Sequence, residues 1–153
     1  MSLSETEQAK VTELTAAGLP EEAATQCAKA ITEGPNPAGK PAQVYGRMKI
    51  KEGADVAALT AAVKEYGANS KAAPGQLGCS YGIADGYLIM FETFDSVNAM
   101  HIHVGHCFPA FTKMLPHCEM DTLLATCDPS QLEFWTTVCN SWGAKTAECY
   151  PAL

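Results

Sequence analysis

The sequence predicts an α+β domain in which helices cover one face of an antiparallel sheet. Two observations lead to this prediction. Apolar and polar residues alternate in the segments 43–51 and 87–94, as they do in half-buried strands. Helical spacing of apolar residues returns between these segments and after them. The chain has 153 residues, of which 47% are hydrophobic and 18% charged, so it is large enough to bury the core of one folded domain.

Charge and hydropathy exclude several classes of partner. Ten basic and 17 acidic residues give a formal net charge of −7, which argues against binding to a phosphate backbone. The apolar runs fall short of the roughly 18 residues that a membrane-spanning helix needs. The polar, acidic start also lacks the features of a secretion signal. We therefore expect a cytoplasmic protein with neither nucleic acid nor a membrane as its partner.

The number of cysteines and the absence of several motifs limit the types of reaction that we expect. Seven dispersed cysteines, an odd number, favour reduced and mostly buried thiols over a disulfide framework. The sequence contains no glycine-rich phosphate loop, no nucleophile elbow and no Cys-x-x-Cys pair. A nucleotide cofactor, a hydrolase triad and dithiol redox chemistry therefore have no support.

Residues 1–42 are expected to form a helical extension and a linker. Ser4 and Glu7 have the spacing of a capping box, and the helix that they open is predicted to end at Gly18. Pro20 suits the first turn of a second helix. Residues 34–41 contain three prolines and two glycines, which indicates a linker.

Residues 43–128 are predicted to fold in the order β-α-β-β-α-β. A helix begins after Asp55, and Asp85-Gly86 predicts a hairpin between strands 79–84 and 87–94. Ser96 can cap a helix that we expect to end at Gly105, with a short helix over 109–115 and a strand over 118–127. This order is the ferredoxin-like arrangement, an antiparallel sheet with helices on one face.

Residues 129–153 are expected to form a helical extension that packs on the same domain. Asp128 and Pro129 indicate its start. The helix is predicted to end at Gly143. One stripe of it carries four apolar residues, Leu132, Trp135, Cys139 and Trp142. Large aromatic residues on a helical stripe usually pack against other apolar surface, so we expect the two tryptophans to lie in the core or at a dimer surface. The last residues fit either a short strand or a tail.

The ordered motifs of residues 43–127 resemble the antibiotic biosynthesis monooxygenase family. The matching residues are Lys51-Glu52-Gly53, Pro74-Gly75, Glu92, Phe94, Ser96, Ala99 and His103, followed by Phe108 and Phe111 with one residue fewer before them. The resemblance implies a homodimeric α+β barrel with a pocket between sheet and helices in each subunit. It also implies cofactor-free oxidation of electron-rich phenols or quinols. Gly46 and Phe94 stand where the haem-degrading branch has asparagine and tryptophan, which counts against haem chemistry.

His103 and Glu92 are the candidate catalytic residues. His103 lies at the family's histidine position, and a neutral imidazole can remove a phenolic proton near pH 7. Glu92 shares its strand face with apolar residues, where an acid is costly to bury unpaired. Either this face meets solvent or a partner histidine or arginine, or Glu92 orients His103. For His101, on the apolar stripe of the helix, a structural role is the favoured interpretation. His103 with His106 or Cys107 could share a helix face, but no fourth ligand is evident and we expect no metal.

The remaining candidates are expected to bind a substrate. Polar contacts to it are expected from Tyr45, Arg47 and Tyr81, and aromatic contacts from Phe94, Phe108 and Phe111. Two functions follow: a cofactor-free monooxygenase with His103 as general base, or a non-catalytic dimeric barrel that binds a small apolar ligand or a protein partner. A second copy of the chain is expected to cover the open face of the sheet.

Overall fold

The computed structural model describes residues 2–36, 39–141 and 146–150. Two helices come first, α1 (Glu5–Ala16) and α2 (Glu21–Glu33). The central part consists of β1 (Ala42–Ile50), α3 (Val56–Ala72), β2 (Gln76–Ala84), β3 (Tyr87–Phe94), α4 (Val97–Thr112) and β4 (Cys118–Thr126). A short 3₁₀ turn (Pro129–Gln131) leads into α5 (Leu132–Ser141), and β5 (Thr146–Tyr150) follows.

The sheet confirms the ferredoxin-like prediction. Its strand order is β2-β3-β1-β4-β5, and the first four strands are antiparallel. β5 adds a parallel strand at the edge beside β4, so the residues that fitted a short strand or a tail include a strand. In the register of β1 and β3, Val44 lies opposite Glu92 and Tyr45 opposite Phe91. Adjacent residues of one strand face opposite ways, and this alternation separates the buried face from the open one.

Local sequence signals explain where the central elements begin. Asp55 and Ser96 cap α3 and α4, because each side chain accepts a hydrogen bond from a backbone N–H of the first turn. Ser4 and Glu7 form the expected capping box at α1. Asp85 and Gly86 both have positive φ, as a two-residue hairpin turn requires.

α4 is longer than the sequence predicts. The expectation that it ends at Gly105 and that a second helix begins at Pro109 is wrong, because one helix passes through both residues to Thr112. Gly105 serves packing instead: a Cβ there would lie 2.8 Å from Cδ1 of Ile31 and 3.2 Å from Cβ of Cys27. The missing side chain lets α2 approach α4 closely.

The core lies between the sheet and the helices. α3 and α4 pack on one sheet face, α2 packs on α4, and α5 contributes Phe134, Trp135 and Val138 to the same hydrophobic cluster. Trp142 and Gly143, assigned above to this last helix and its end, lie outside the described residues. No helix of the described ranges is long and apolar enough to span a bilayer.

Candidate functional site

Four polar side chains meet in the core between the sheet and helices α3 and α4. Oε1 of Glu92 accepts hydrogen bonds from the hydroxyls of Tyr66 at 3.1 Å and Tyr81 at 2.9 Å. The same oxygen lies 3.2 Å from Nε2 of His103. The Tyr66 oxygen is 2.8 Å from that nitrogen. Oε2 of Glu92 makes no hydrogen bond to any residue within the described ranges, so this oxygen remains an acceptor.

Backbone periodicity brings these four groups together. Strand alternation places Glu92 on the helix-facing side of β3 with Met90 and Phe94. Tyr66 lies on the buried stripe of α3. Gly67, the next residue, makes room for Tyr81, because a Cβ at that glycine would lie 3.1 Å from the tyrosine ring.

Burial and charge fix the protonation states of the pair. Burial alone would lower the pKa of His103, but the charge of Glu92 and hydrogen bonds to Cys107 and Glu92 raise that pKa to about 10. Burial would raise the pKa of Glu92, yet His103 and the hydrogen-bonded tyrosines lower it overall. At neutral pH the pair is therefore an imidazolium and a carboxylate. Burial and the Glu92 charge raise the pKa of Tyr66 and Tyr81, which keeps both phenols neutral donors.

This charge state differs from the neutral imidazole that the sequence led us to expect for His103. An imidazolium cannot accept a second proton, so the group of the pair that can take up a substrate proton is the Glu92 carboxylate. His103 instead supplies a fixed positive charge, which favours a bound anion. The two residues act as one unit because they share a single proton between them.

A cavity of about 40 Å³ adjoins this cluster. It is lined by residues of the sheet and of helices α3, α4 and α5, among them Val44, Tyr66, Met90, Glu92, Phe94, His103, Cys107, Phe108, Phe111, Met120 and Trp135. The walls are mostly apolar side chains, and Glu92 and His103 form the polar corner. The volume holds one or two water-sized molecules, whereas a cavity of about 150 Å³ is needed for benzene. A phenolic ligand therefore requires the cavity to enlarge.

Cys107 joins the polar corner from the next turn of α4. Its Sγ lies 3.5 Å from Nδ1 of His103, and the residue is 1% exposed. The cavity wall thus contains a thiol, an imidazole and a carboxylate in hydrogen-bonding sequence. Among the described residues, no three His, Cys, Asp or Glu side chains are arranged to hold a metal ion.

The candidate substrate-binding residues divide between the two faces of the sheet. Phe94, Phe108 and Phe111 line the cavity, and Tyr81 reaches Glu92. Tyr45 and Arg47 do not join them, because strand alternation places both on the opposite face. There Tyr45 packs on Phe91 with ring centroids 5.1 Å apart.

Arg47 has its own partners on that opposite face. Its Nε donates a hydrogen bond to Asp121 at 2.8 Å, and its guanidinium lies 4.9 Å from the centroid of the Tyr87 ring. Its charge is therefore already paired, and it is not directed at the cavity.

His101 lies two residues from His103 but in a different environment. Its ring centroid is 4.3 Å from that of Phe134. Burial lowers its pKa to about 4, so the ring is neutral at pH 7. This packing agrees with the structural role inferred from the sequence.

The sequence interpretation did not assign a site role to Tyr66 or Trp135. Tyr66 lies at helical spacing with Val56, Leu59 and Val63, and its distinguishing signal in the sequence is a hydroxyl on an otherwise apolar stripe. Trp135 was placed in the core or at a dimer surface; it is buried and lines the cavity from α5.

Comparison with known proteins gives a fold relationship. No family model and no curated protein match the chain. MupZ from Pseudomonas fluorescens is similar in structure, with a TM-score of 0.59 at 10% identity over 75% of this chain and 94% of that one. The structural genomics protein YJCS matches with a TM-score of 0.49 at 12% identity, over 56% of this chain and 96% of that one.

A candidate antibiotic biosynthesis monooxygenase from Chloroflexus aurantiacus J-10-fl also matches, with a TM-score of 0.48 at 18% identity over 57% of this chain and 92% of that one. The TM-score with MupZ shows a shared fold, and an identity of 10% carries no activity from that protein to this one. The chain has an α+β ferredoxin-like fold of the kind that the sequence resemblance implied, and it shares this fold with MupZ.

Proposed function

We propose that this chain oxidises a small phenol or quinol with molecular oxygen, without a resident cofactor, in the cavity beside His103 and Glu92. The observation that carries the proposal is the buried ion pair on the cavity wall, with Nε2 and Oε1 3.2 Å apart. Removing two charges from water is costly, and such perturbed pairs in cavities are typical of catalytic sites.

Besides oxygen, the proposed reaction requires two groups of the cavity, the Glu92 carboxylate and the His103 imidazolium. Oε2 of Glu92 accepts the phenolic proton, and the positive charge of His103 stabilises the resulting phenolate. An electron-rich phenolate then transfers electrons to oxygen. One oxygen atom becomes the new carbonyl of a para-quinone and the other leaves as water, so that one phenol and one O₂ give one quinone and one H₂O. Tyr66 and Tyr81 hold the Glu92 carboxylate in place.

The cavity must enlarge for this substrate, and two methionines are suited to allow it. Met90 and Met120 line the wall, and their unbranched side chains can change rotamer at low cost. Gly46 forms part of the floor, where a Cβ would lie 2.9 Å from the terminal methyl group of Met90. The missing side chain leaves that methionine room to move.

The proposed functional unit is a homodimer. The open sheet face presents Tyr45, Phe91 and Leu124 side by side in the register of β3, β1 and β4. Phe91 is 55% exposed, and a second copy of the same face would cover it. Free thiols at Cys27, Cys79, Cys107, Cys118 and Cys127 fit the reducing cytoplasm that the sequence predicts.

A second candidate function is the binding of a small apolar ligand without chemistry. The small volume and apolar walls of the cavity favour it, as does the saturation of Oε1 of Glu92 by three neighbours. In this case the ion pair would serve only to join β3 to α4.

Oxygen uptake by the purified protein separates these functions. A panel of hydroquinones, naphthols and anthrols is supplied under ¹⁸O₂, with uptake and product mass followed together. The proposal predicts one O₂ consumed and one ¹⁸O atom incorporated per product molecule. With a naphthol or anthrol the label lies in the new carbonyl of a quinone, and with a hydroquinone it lies in the added ring oxygen of a hydroxyquinone. Binding of an apolar panel member, seen as a change in Trp135 fluorescence that Trp135→Phe abolishes, without oxygen uptake above the protein-free rate would favour the second function.

A further inference from the structure

We propose that Cys107 is a second reactive group of this cavity, whose thiol adds to small α,β-unsaturated carbonyl compounds while His103 and Glu92 hold its proton. This activity goes beyond the proposed oxidation, because it requires no oxygen. The quinones that the oxidation would form belong to the same electrophile class, so the thiol would meet them in the cavity.

The geometry is that of an activated nucleophile. Sγ of Cys107 is 3.5 Å from Nδ1 of His103, and the other ring nitrogen is 3.2 Å from Oε1 of Glu92. A thiol hydrogen-bonded to an imidazolium that a carboxylate orients is an arrangement that stabilises negative charge on the attacking sulfur. All three side chains line the same cavity, so an electrophile inside it would contact the sulfur.

Other cysteines of the chain lack this arrangement. Burial raises the pKa of the Cys27 thiol to about 12 and that of Cys118 to about 11, which keeps both as thiols. Cys118 also donates its S–H to the carbonyl of Met114 at 3.2 Å. Cys79 is half-buried on β2, and within the described ranges it makes no hydrogen bond to an imidazole. These three residues are internal controls for the reactivity of Cys107.

The addition balances without an external oxidant or reductant. A bond forms between Sγ and the β-carbon of the electrophile, and the electron pair of its C=C bond moves towards the carbonyl oxygen. The His103 imidazolium gives a proton to the α-carbon, and the neutral imidazole that remains takes up the thiol proton, so the His103–Glu92 pair returns to its starting charge state. The product is a saturated thioether, and no atom is lost. With a quinone the same step yields a hydroquinone thioether.

Size should govern the selectivity. The cavity measures about 40 Å³ and must enlarge for either probe, so an electrophile of five heavy atoms, which needs less enlargement, is favoured over one that carries a phenyl ring. Methyl vinyl ketone is therefore the small probe, and N-phenylmaleimide is the bulky control. Because a maleimide reacts intrinsically faster with thiols than an enone does, each rate at Cys107 is divided by the rate at Cys79, which lies outside the cavity.

The experiment measures adduct formation at each cysteine in the native protein. The folded wild-type chain is treated anaerobically with either probe, and samples are quenched over time, unfolded, alkylated with a second reagent and mapped by peptide mass spectrometry. We expect methyl vinyl ketone to modify Cys107 at least about tenfold faster than Cys27 or Cys118, because a positioned group that donates and accepts protons contributes about 10²–10⁴-fold to a rate. With N-phenylmaleimide the rate at Cys107 relative to that at Cys79 should be lower than with methyl vinyl ketone.

Two variants test the role of the pair. His103→Gln and Glu92→Gln should each lower the Cys107 rate by about 100-fold, with circular dichroism used to select the variant that keeps its fold. The proposal is overturned if Cys107 of the wild-type protein reacts no faster than Cys27, or if its rate is unchanged in a folded variant. The ketone has no phenolic hydroxyl and oxygen is absent, so these outcomes are independent of the proposed oxidation.

Discussion

Nε2 of His103 lies 3.2 Å from Oε1 of Glu92, and the two side chains are 3% and 6% exposed. This contact joins α4 to β3 through the hydrophobic core, where an isolated charge of either sign would be very costly. Each residue is charged because the other is, and the pair therefore links stability, pH and the chemistry of the cavity.

The first prediction concerns the alkaline side of the stability profile. The pKa of His103 is raised from 6.5 to about 10 in the folded chain, so the folded state binds more protons than the unfolded state between these values. Its contribution is fully present below pH 6.5 and is lost as the pH rises towards 10. Urea unfolding from pH 6 to 10 should show this decline.

His103→Gln is the comparison that isolates the effect. At pH 6 it should lower the free energy of unfolding by about 3–5 kcal/mol, because the partner charge remains buried. The difference from wild type should shrink steadily towards pH 10. A difference that stays constant over this range would show that His103 is not protonated in the folded chain.

The second prediction has the opposite sign and concerns His101. Burial lowers its pKa from 6.5 to about 4, so the unfolded state binds more protons as the pH falls. The free energy of unfolding should therefore decrease between pH 6.5 and 4, by about 3 kcal/mol. His101→Phe, which keeps a ring against Phe134, should remove most of this decrease. His106→Gln, at an exposed position on the same helix, should leave it largely intact.

The third prediction tests the hydrogen bonds to Glu92. Tyr81→Phe removes a donor 2.9 Å from a buried carboxylate oxygen and should cost about 1.5–3 kcal/mol. Tyr45→Phe is the matched control, since its hydroxyl makes no hydrogen bond to a described residue, and we expect a change within about 0.5 kcal/mol. Equal effects in thermal or urea unfolding would remove Tyr81 from the network.

The fourth prediction concerns assembly. Light scattering should give twice the chain mass for the wild-type protein at micromolar concentration. Phe91→Lys should give a monomer, because it places a charge in the middle of the proposed interface. Leu132→Lys changes a residue of α5 that is 43% exposed and lies away from the open face, so it should remain a dimer. A wild-type monomer, or a dimeric Phe91→Lys variant, would contradict the proposed interface.

Periodicity and capping were sufficient to predict most of the fold. Strand alternation in β1 and β3 assigned their faces, and Ser96 and Asp85-Gly86 located a helix start and a hairpin. The predicted helix end at Gly105 was wrong because the local sequence does not distinguish a glycine that ends a helix from one that lets a neighbouring helix pack closely. Only the distance to Ile31 and Cys27 distinguishes them.

The site was predictable only in part, because it depends on contacts between distant elements. Glu92 was recognised as an acid in an apolar row, and His103 was recognised from its motif position. Tyr66 lies 37 residues from His103 along the chain, and no local pattern joins the two. The charge of His103 likewise follows from its distance to Glu92, which the sequence does not specify.

The most direct test of the account compares oxygen uptake by three proteins with one active hydroquinone or anthrol. Glu92→Gln removes the proposed proton acceptor and keeps a hydrogen-bonding side chain of the same size, whereas Tyr45→Phe changes a side chain on the opposite face of the sheet. The account predicts that Glu92→Gln lowers the rate by about 10²–10⁴-fold and that Tyr45→Phe keeps the wild-type rate. Oxygen uptake by folded Glu92→Gln within about threefold of the wild-type rate, well below a general-base effect, would contradict the proposed role of the His103–Glu92 pair.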